Sequence, residues 1–201
     1  TGEPEEFVPA DREHGFESSD LNDQWRFTLR DSQTNYWTIG TAAGATSGSN
    51  ALYITSDGYN YGYDNYSNSE AWAYLPVRLA ANDMISFSWK GQGEGSYDYL
   101  QVYLFPKEAA MQGGVSRDDA IALTSPLSGQ SEWQTYTAYP SVEGDYYLCF
   151  IWQNDGSVGE QACAIDNLSI EQVATTTISP LTYLLNNDNT ATVMSCDKSY
   201  E

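Results

Sequence analysis

Residues 145–171, DYYLCFIWQNDGSVGEQACAIDNLSIE, hold two strongly apolar runs, 146–152 and 162–170, on either side of a polar loop with two glycines. Short β-rich runs bounded by Asn, Asp, Gly and Ser predict a hairpin. Both runs are too apolar for surface strands, so the pair is expected at the centre of a sandwich. One residue breaks the second run: Asp166, followed at once by Asn167. A carboxylate beside Ile165 and Leu168 is costly unless it is paired, hydrogen-bonded or bound to a cation.

Working outward, the same texture repeats. WRFTLR (25–30) alternates Trp25, Phe27 and Leu29 with polar residues, the period of a half-buried strand. YWTIG (36–40) and NALYITS (50–56) follow, separated by the small-residue loop TAAGATSGS. That loop has no bulky anchor, so its own hydrogen bonds or a ligand must hold it. SDGYNYGYDNYSNSE (56–70) carries four tyrosines and no aliphatic side chain, and reads as a loop. AWAYLPVRL (71–79) is a strand that Pro76 confines to an edge or a bulge. Residues 83–90, 97–105, 121–124 and 133–139 add further strands. Residues 107–120 are the one stretch suited to a helical turn, kept short by Gly113-Gly114.

About ten short strands with regular turn signals predict an all-β fold, an antiparallel β-sandwich or jelly roll, over residues 14–172. Residues 1–13 are acidic with almost nothing to bury and read as a leader. Residues 173–180 read as a linker. Residues 181–201 read as one hairpin without a partner, and two strands alone are marginal in water.

The chain of 201 residues carries 8 Lys and Arg against 28 Asp and Glu, a net charge of −20. Such a field repels phosphate backbones and anionic lipid, and suits cations or neutral polar ligands. No nucleic acid and no membrane insertion are expected, since no apolar run approaches a spanning length. A monomer is expected. His14 is the only histidine, and neither GxSxG nor HExxH occurs, which removes serine-triad and zinc-protease chemistry. Paired-carboxylate hydrolysis survives by inventory alone. Asp98 in SYDYL reads as a solvated edge-strand acid. In a simple hairpin register Cys149 and Cys163 face each other, either as a disulfide or, the preferred reading, as two buried thiols acting as small hydrophobes.

Four ordered stretches, Phe16-Glu17 with Trp25, Trp37 with SGSNALYI, YLPVRL with MISFSW, and WQTYTAY through AIDNLSI, resemble the MAM-like jelly rolls. These include the cleaved-adhesin and choice-of-anchor J modules of secreted bacterial surface proteins. The resemblance covers roughly residues 14–172. It implies a galactose-binding-like jelly roll and a non-catalytic adhesion or carbohydrate-binding role at the cell surface, with a glycan or a host or surface protein as partner. The tail NDNTATVMSCDKSYE is similar to the lead-in of BspA-like leucine-rich repeats, which implies a following repeat domain. The alternatives are a carboxylate-based glycoside hydrolase and a purely structural spacer.

Two candidate sites result. Tyr59, Tyr61, Tyr63 and Tyr66 offer rigid rings with polar tips, suited to sugar or protein contact, unless they fold back over the sheet. Glu17 and Asp166 each interrupt an apolar strand, one near each end of the domain, and jelly rolls pair their terminal strands. Two adjacent carboxylates repel unless a cation lies between them. Calcium accepts carboxylates with backbone carbonyls such as those of the loop 41–50. The resemblance implies the same two ligands for a structural calcium. The competing reading turns Glu17 to solvent and lets Asp166 accept backbone N–H groups at a bulge.

Overall fold

A computed structural model describes residues 6–31, 34–112, 115–159, 161–174, 182–185 and 191–194. Its strands are β1 (Glu13–His14), β2 (Arg26–Asp31), β3 (Tyr36–Gly40), β4 (Ala51–Thr55), β5 (Ser69–Leu79), β6 (Asp83–Gly91) and β7 (Tyr99–Pro106). There follow β8 (Ile121–Ala122), β9 (Gln130–Ala138), β10 (Gly144–Asn154), β11 (Ala164–Gln172), β12 (Thr182–Leu185) and β13 (Ala191–Met194). One sheet runs β3-β4-β11-β6-β9 with β1 also on β11, and the other runs β2-β5-β10-β7-β8. All pairings are antiparallel.

Alternation builds the core. Ile85, Phe87 and Trp89 of β6, Leu100, Val102 and Leu104 of β7, and Leu148, Phe150 and Trp152 of β10 meet in one cluster between the sheets. Phe150 sits at its middle, with Trp25 at 5.8 Å and Phe87 edge-on at 5.1 Å. Each such side chain, fully buried, is worth about 1.5–3 kcal/mol relative to exposure.

The two runs that predicted a hairpin are not one. β10 pairs with β5 and β7, whereas β11 pairs with β4, β6 and β1. The polar loop between them crosses from one sheet to the other. Cys149 and Cys163 therefore do not face each other and are free, buried thiols. Cys163 lies in the central core and Cys149 in a second cluster with Trp72, Tyr74, Tyr103, Phe105, Met111 and Ile151. Residues Ala109, Val115 and Ala120 cover that second cluster. The continuous apolarity of β5 and β10 thus records burial on both faces, one by the opposite sheet and one by the excursion after β7.

Pro76 fits because β2 pairs with β5 only as far as Tyr74, leaving Pro76 paired with β10 alone. A missing N–H is harmless where no neighbour asks for it. The expected helical turn appears as a 3₁₀ turn at Arg117–Asp119. A single α-turn at Ser19–Asn22 was not foreseen. Residues read as a leader already engage the sandwich: Ala10 N–H donates to Pro76 O (2.7 Å), and Arg12 pairs with the buried Asp83 (2.5 Å). β12 and β13 pair only with each other. Among the described residues no helix is long and apolar enough to cross a membrane.

Candidate functional site at the tyrosine loops

Side-chain acceptors shape the loop after β4. Thr55 Oγ1 accepts Gly58 N–H (3.1 Å), and Asp57 Oδ1 accepts the N–H groups of Tyr59 and Asn60 (2.9 and 2.8 Å). Those two N–H groups hold the Asp57 carboxyl well below the usual range. Further on, buried Asn35 clamps Asp64, donating to its carbonyl (2.8 Å) and accepting its N–H (2.7 Å). Asn154 Nδ2 donates to Ser67 O (2.9 Å), so the loop's far end is fastened to the end of β10.

This framework divides the four tyrosines. Tyr61 folds back: its hydroxyl donates to Ala162 O and its ring meets Tyr53 edge-on at 6.1 Å. Lys90 Nζ sits over it, 5.1 Å from the ring centre, and also lies 5.0 Å from the ring centre of Trp133. Tyr63 also folds back, edge-on to Trp152 at 5.0 Å, and its hydroxyl donates to Asp98 Oδ2. Burial raises both phenols above their ordinary value. Tyr59 and Tyr66 stay outside, 81% and 87% exposed. The folded-back reading therefore holds for Tyr61 and Tyr63 and not for Tyr59 and Tyr66.

Asp98 corrects the sequence more sharply. It is fully buried, not a solvated edge acid. The turn Glu94–Asp98 closes on itself as an isolated bridge, Glu94 N–H donating to Asp98 O at 3.2 Å. Asp98 Oδ1 accepts the N–H of Asp155 (2.9 Å) from the end of β10. One ligand oxygen each from Glu94, Asp98 and Asp155 lies within 4.8 Å of the others, a grouping able to hold a metal ion. Burial first, then the Asp155 charge, pushes the Asp98 carboxyl up. Tyr97, 59% exposed, stands on the same turn. Tyr97, Asn68, Glu70, Gln153 and Asp155 line a cavity of about 200 Å³ beside it. Sequence reasoning missed Glu94 and Asp155. The available signal was acids on two loops that the end of β10 brings next to the tyrosine loop.

Glu17 and Asp166 do converge, on the loop 41–50. Asp166 is fully buried where β11 bulges against β6, between the residues paired with β4 and those paired with β1. Its Oδ2 accepts Thr46 N–H (2.7 Å), Thr46 Oγ1–H (2.8 Å) and Ser47 N–H (3.2 Å), and its Oδ1 accepts Asn167 N–H (2.8 Å). Glu17 Oε1 accepts Ser49 and Asn50 N–H (2.8 and 2.7 Å), and Oε2 accepts Asn50 Nδ2–H (3.0 Å). These donors lower the Glu17 pKa. Gly48 is required, at φ 70°, because a Cβ there would run into the Glu17 carboxylate. The loop thus offers hydrogen donors where carbonyl ligands were expected: Asp166 accepts backbone N–H groups at the bulge, as in the competing reading, and Glu17 is exposed but has both its oxygens engaged by the loop. A cation at this pair would have to share oxygens that already have partners.

Comparison with known proteins adds the fold. No family model and no curated protein matches the chain. Solved structures do. The K1 cleaved adhesin domain of the Lys-gingipain Kgp of Porphyromonas gingivalis W83 superposes with a TM-score of 0.53 at 14% identity, over 81% of this chain and 98% of that one. The CBM22-1 xylan-binding domain of Paenibacillus barcinonensis Xyn10C gives 0.50 at 15%, over 84% and 98%. A carbohydrate-binding module of the β-sandwich superfamily with promiscuous specificity gives 0.51 at 11%, over 82% and 63%. At these identities the likeness is one of fold: the chain is an antiparallel jelly-roll β-sandwich.

Proposed function

We propose that this chain is a non-catalytic extracellular module that binds glycan at the tyrosine-loop end of the sandwich. One observation carries the reading. Exposed Tyr59, Tyr66 and Tyr97 are presented by loops whose roots are fixed by buried Asn35, Asn154 and Asp98, and Tyr97 lines a polar cavity at the end of β10. Rigid rings with hydroxyl tips match pyranose rings, which are C–H lined on their faces and hydroxylated at the rim, at low entropic cost. Tyr61 and Tyr63 serve as struts. The fold shared with carbohydrate-binding modules and a cleaved adhesin domain supports the assignment, and the net charge favours neutral sugars over anionic ones.

A glycan array should return binders, and Tyr66→Ala with Tyr97→Ala should weaken them at least tenfold, about 1.4 kcal/mol. Binding indifferent to both, and to Tyr59→Ala, removes the loops from the reading. A glycoside hydrolase is the competing proposal, because Asp98, with its raised pKa, lies beside two further carboxyls next to a cavity. Turnover of a chromogenic glycoside that Asp98→Asn abolishes would replace binding with catalysis. Neither binding nor turnover would leave the spacer. A structural calcium at Glu17 and Asp166 remains part of the proposal, since no described ion pair neutralises either acid.

A further inference from the structure

We propose that the glycan site continues from the tyrosine loop into an aromatic groove between β2 and β3, so that its ligand is a linear, neutral oligosaccharide. The inference rests on glycan binding at the tyrosine loops and names the ligand class for that site.

β2 is an edge of one sheet and β3 an edge of the other. Phe27, Thr28, Leu29, Tyr36, Trp37 and Trp72 line a groove of about 460 Å³ there. Alternation turns Phe27 and Leu29 to the core side of β2, paired with Ala73 and Ala71. Yet Phe27 is 41% exposed, a core-side aromatic that the sandwich leaves partly uncovered. The floor is held in place. Trp37 Nε1–H donates to Ala71 O (2.9 Å), and the Arg30 guanidinium lies 4.1 Å from the Trp72 ring centre. Among the described residues β2 pairs only with β5 and β3 only with β4. Their outer edges therefore carry unpaired backbone N–H and C=O groups along the rims. An aromatic floor between polar rims matches a pyranose, whose C–H faces stack on rings and whose hydroxyls lie at the edge.

The groove joins the tyrosine loop through Tyr36. Its hydroxyl lies against Gly58, where a Cβ would stand 3.1 Å away, and the next residue is exposed Tyr59. A ligand that touches both Tyr59 and Phe27 has to run past Tyr36, which calls for a linear chain. None of the six lining residues is charged, in a chain of net charge −20. By contrast, Glu70 and Asp155 line the cavity beside Tyr97. A charged ligand would lose its hydration against uncharged walls without gaining a partner, so the groove selects neutral sugars. Its size agrees. About 460 Å³ lies within the roughly 300–1,000 Å³ common for ligand sites, whereas the cavity beside Tyr97, at about 200 Å³, does not. Continuity with the tyrosine loop favours sugar over an added peptide strand, which would use the rims alone.

The test titrates the whole chain with linear neutral oligosaccharides of increasing length, drawn from several linkage types, by isothermal calorimetry. Affinity should rise at least tenfold from the shortest binder to the longest. Phe27→Ala should remove that gain and leave the shortest binder unchanged, while Tyr97→Ala weakens every length. If Phe27→Ala fails to fold, NMR of the wild type decides: the Trp37 indole N–H should shift with the longest oligosaccharide and not with the shortest. Affinity indifferent to length and to Phe27→Ala, or an unmoved Trp37 signal, overturns the groove and leaves the tyrosine loops standing. No binding to any oligosaccharide removes both readings. A Phe27-dependent binder from a peptide library, with every sugar indifferent to Phe27→Ala, would assign the groove to a protein strand instead.

Discussion

Asp98 shows how far one residue's position departs from its sequence signature. In SYDYL it looks like any acid at the start of an exposed strand. Its neighbours in space come from residues 63 and 155, which no local pattern names. Burial and the Asp155 charge favour its neutral form, so its folded pKa lies above its unfolded one. The sign follows: the folded state binds the extra proton, and its stabilisation is full below the unfolded pKa and lost as pH rises through the folded value. The groups facing it are Tyr63, Asp155 and Glu94. In EGTA, Asp98→Asn should therefore melt higher than wild type at neutral pH, with the gap closing as pH falls toward the carboxylate range. Melts from pH 7 to pH 4 check this. A gap that does not vary with pH would mean that Asp98 is ionised without penalty.

Strand positions and faces were legible because period-2 alternation is a local property. Ile85, Phe87 and Trp89 point inward as their spacing requires. Strand partners were not legible. The residues Asn154, Asp155, Gly156 and Ser157 would make a turn equally well inside one sheet or between two, so the expected hairpin of β10 and β11 failed without any residue being misread. The apolar outer face of β10 was visible, but its cover was not, since Ala109, Val115 and Ala120 carry no strand signal. The Glu17–Asp166 junction was half legible. Two acids in apolar runs and one unanchored loop pointed to each other, while the direction of the loop's N–H groups is a three-dimensional fact. Asp166→Ala strips four donors, Thr46 N, Thr46 Oγ1, Ser47 N and Asn167 N, of a charged acceptor. Hydrogen bonds to charged groups contribute about 1.5–3 kcal/mol each. Partial rescue by water leaves an expected loss of about 3 kcal/mol, or a melting temperature roughly 6–12 °C lower for a domain of this size. Asp166→Asn, which keeps one acceptor oxygen, should fall between. A calcium-dependent rise in wild type that Asp166→Asn alone abolishes would place an ion at this junction.

At the scale of the chain, the sandwich closes on its own first and last strands. β1 pairs with β11, Arg12 donates to Ile170 O (3.0 Å), and Asn82 Nδ2 reaches Val173 O (3.0 Å). That closure is complete by residue 173, before the tail begins. β12 and β13 hydrogen-bond to each other and join neither sheet. A two-stranded unit buries too little to hold a fold or to lend one stability. We propose that these two strands stand apart from the sandwich, which has a measurable consequence. Removing residues 175–201 should leave the melting temperature within about 2 °C of the full chain, since less than ~1 kcal/mol is at stake for a domain of this size. The same deletion should leave glycan binding untouched, because the tyrosine loops lie wholly within residues 35–162. A fall of about ten degrees would instead correspond to several kcal/mol. Only strands packed on the sandwich supply that much, so the result would place β12 and β13 in the fold.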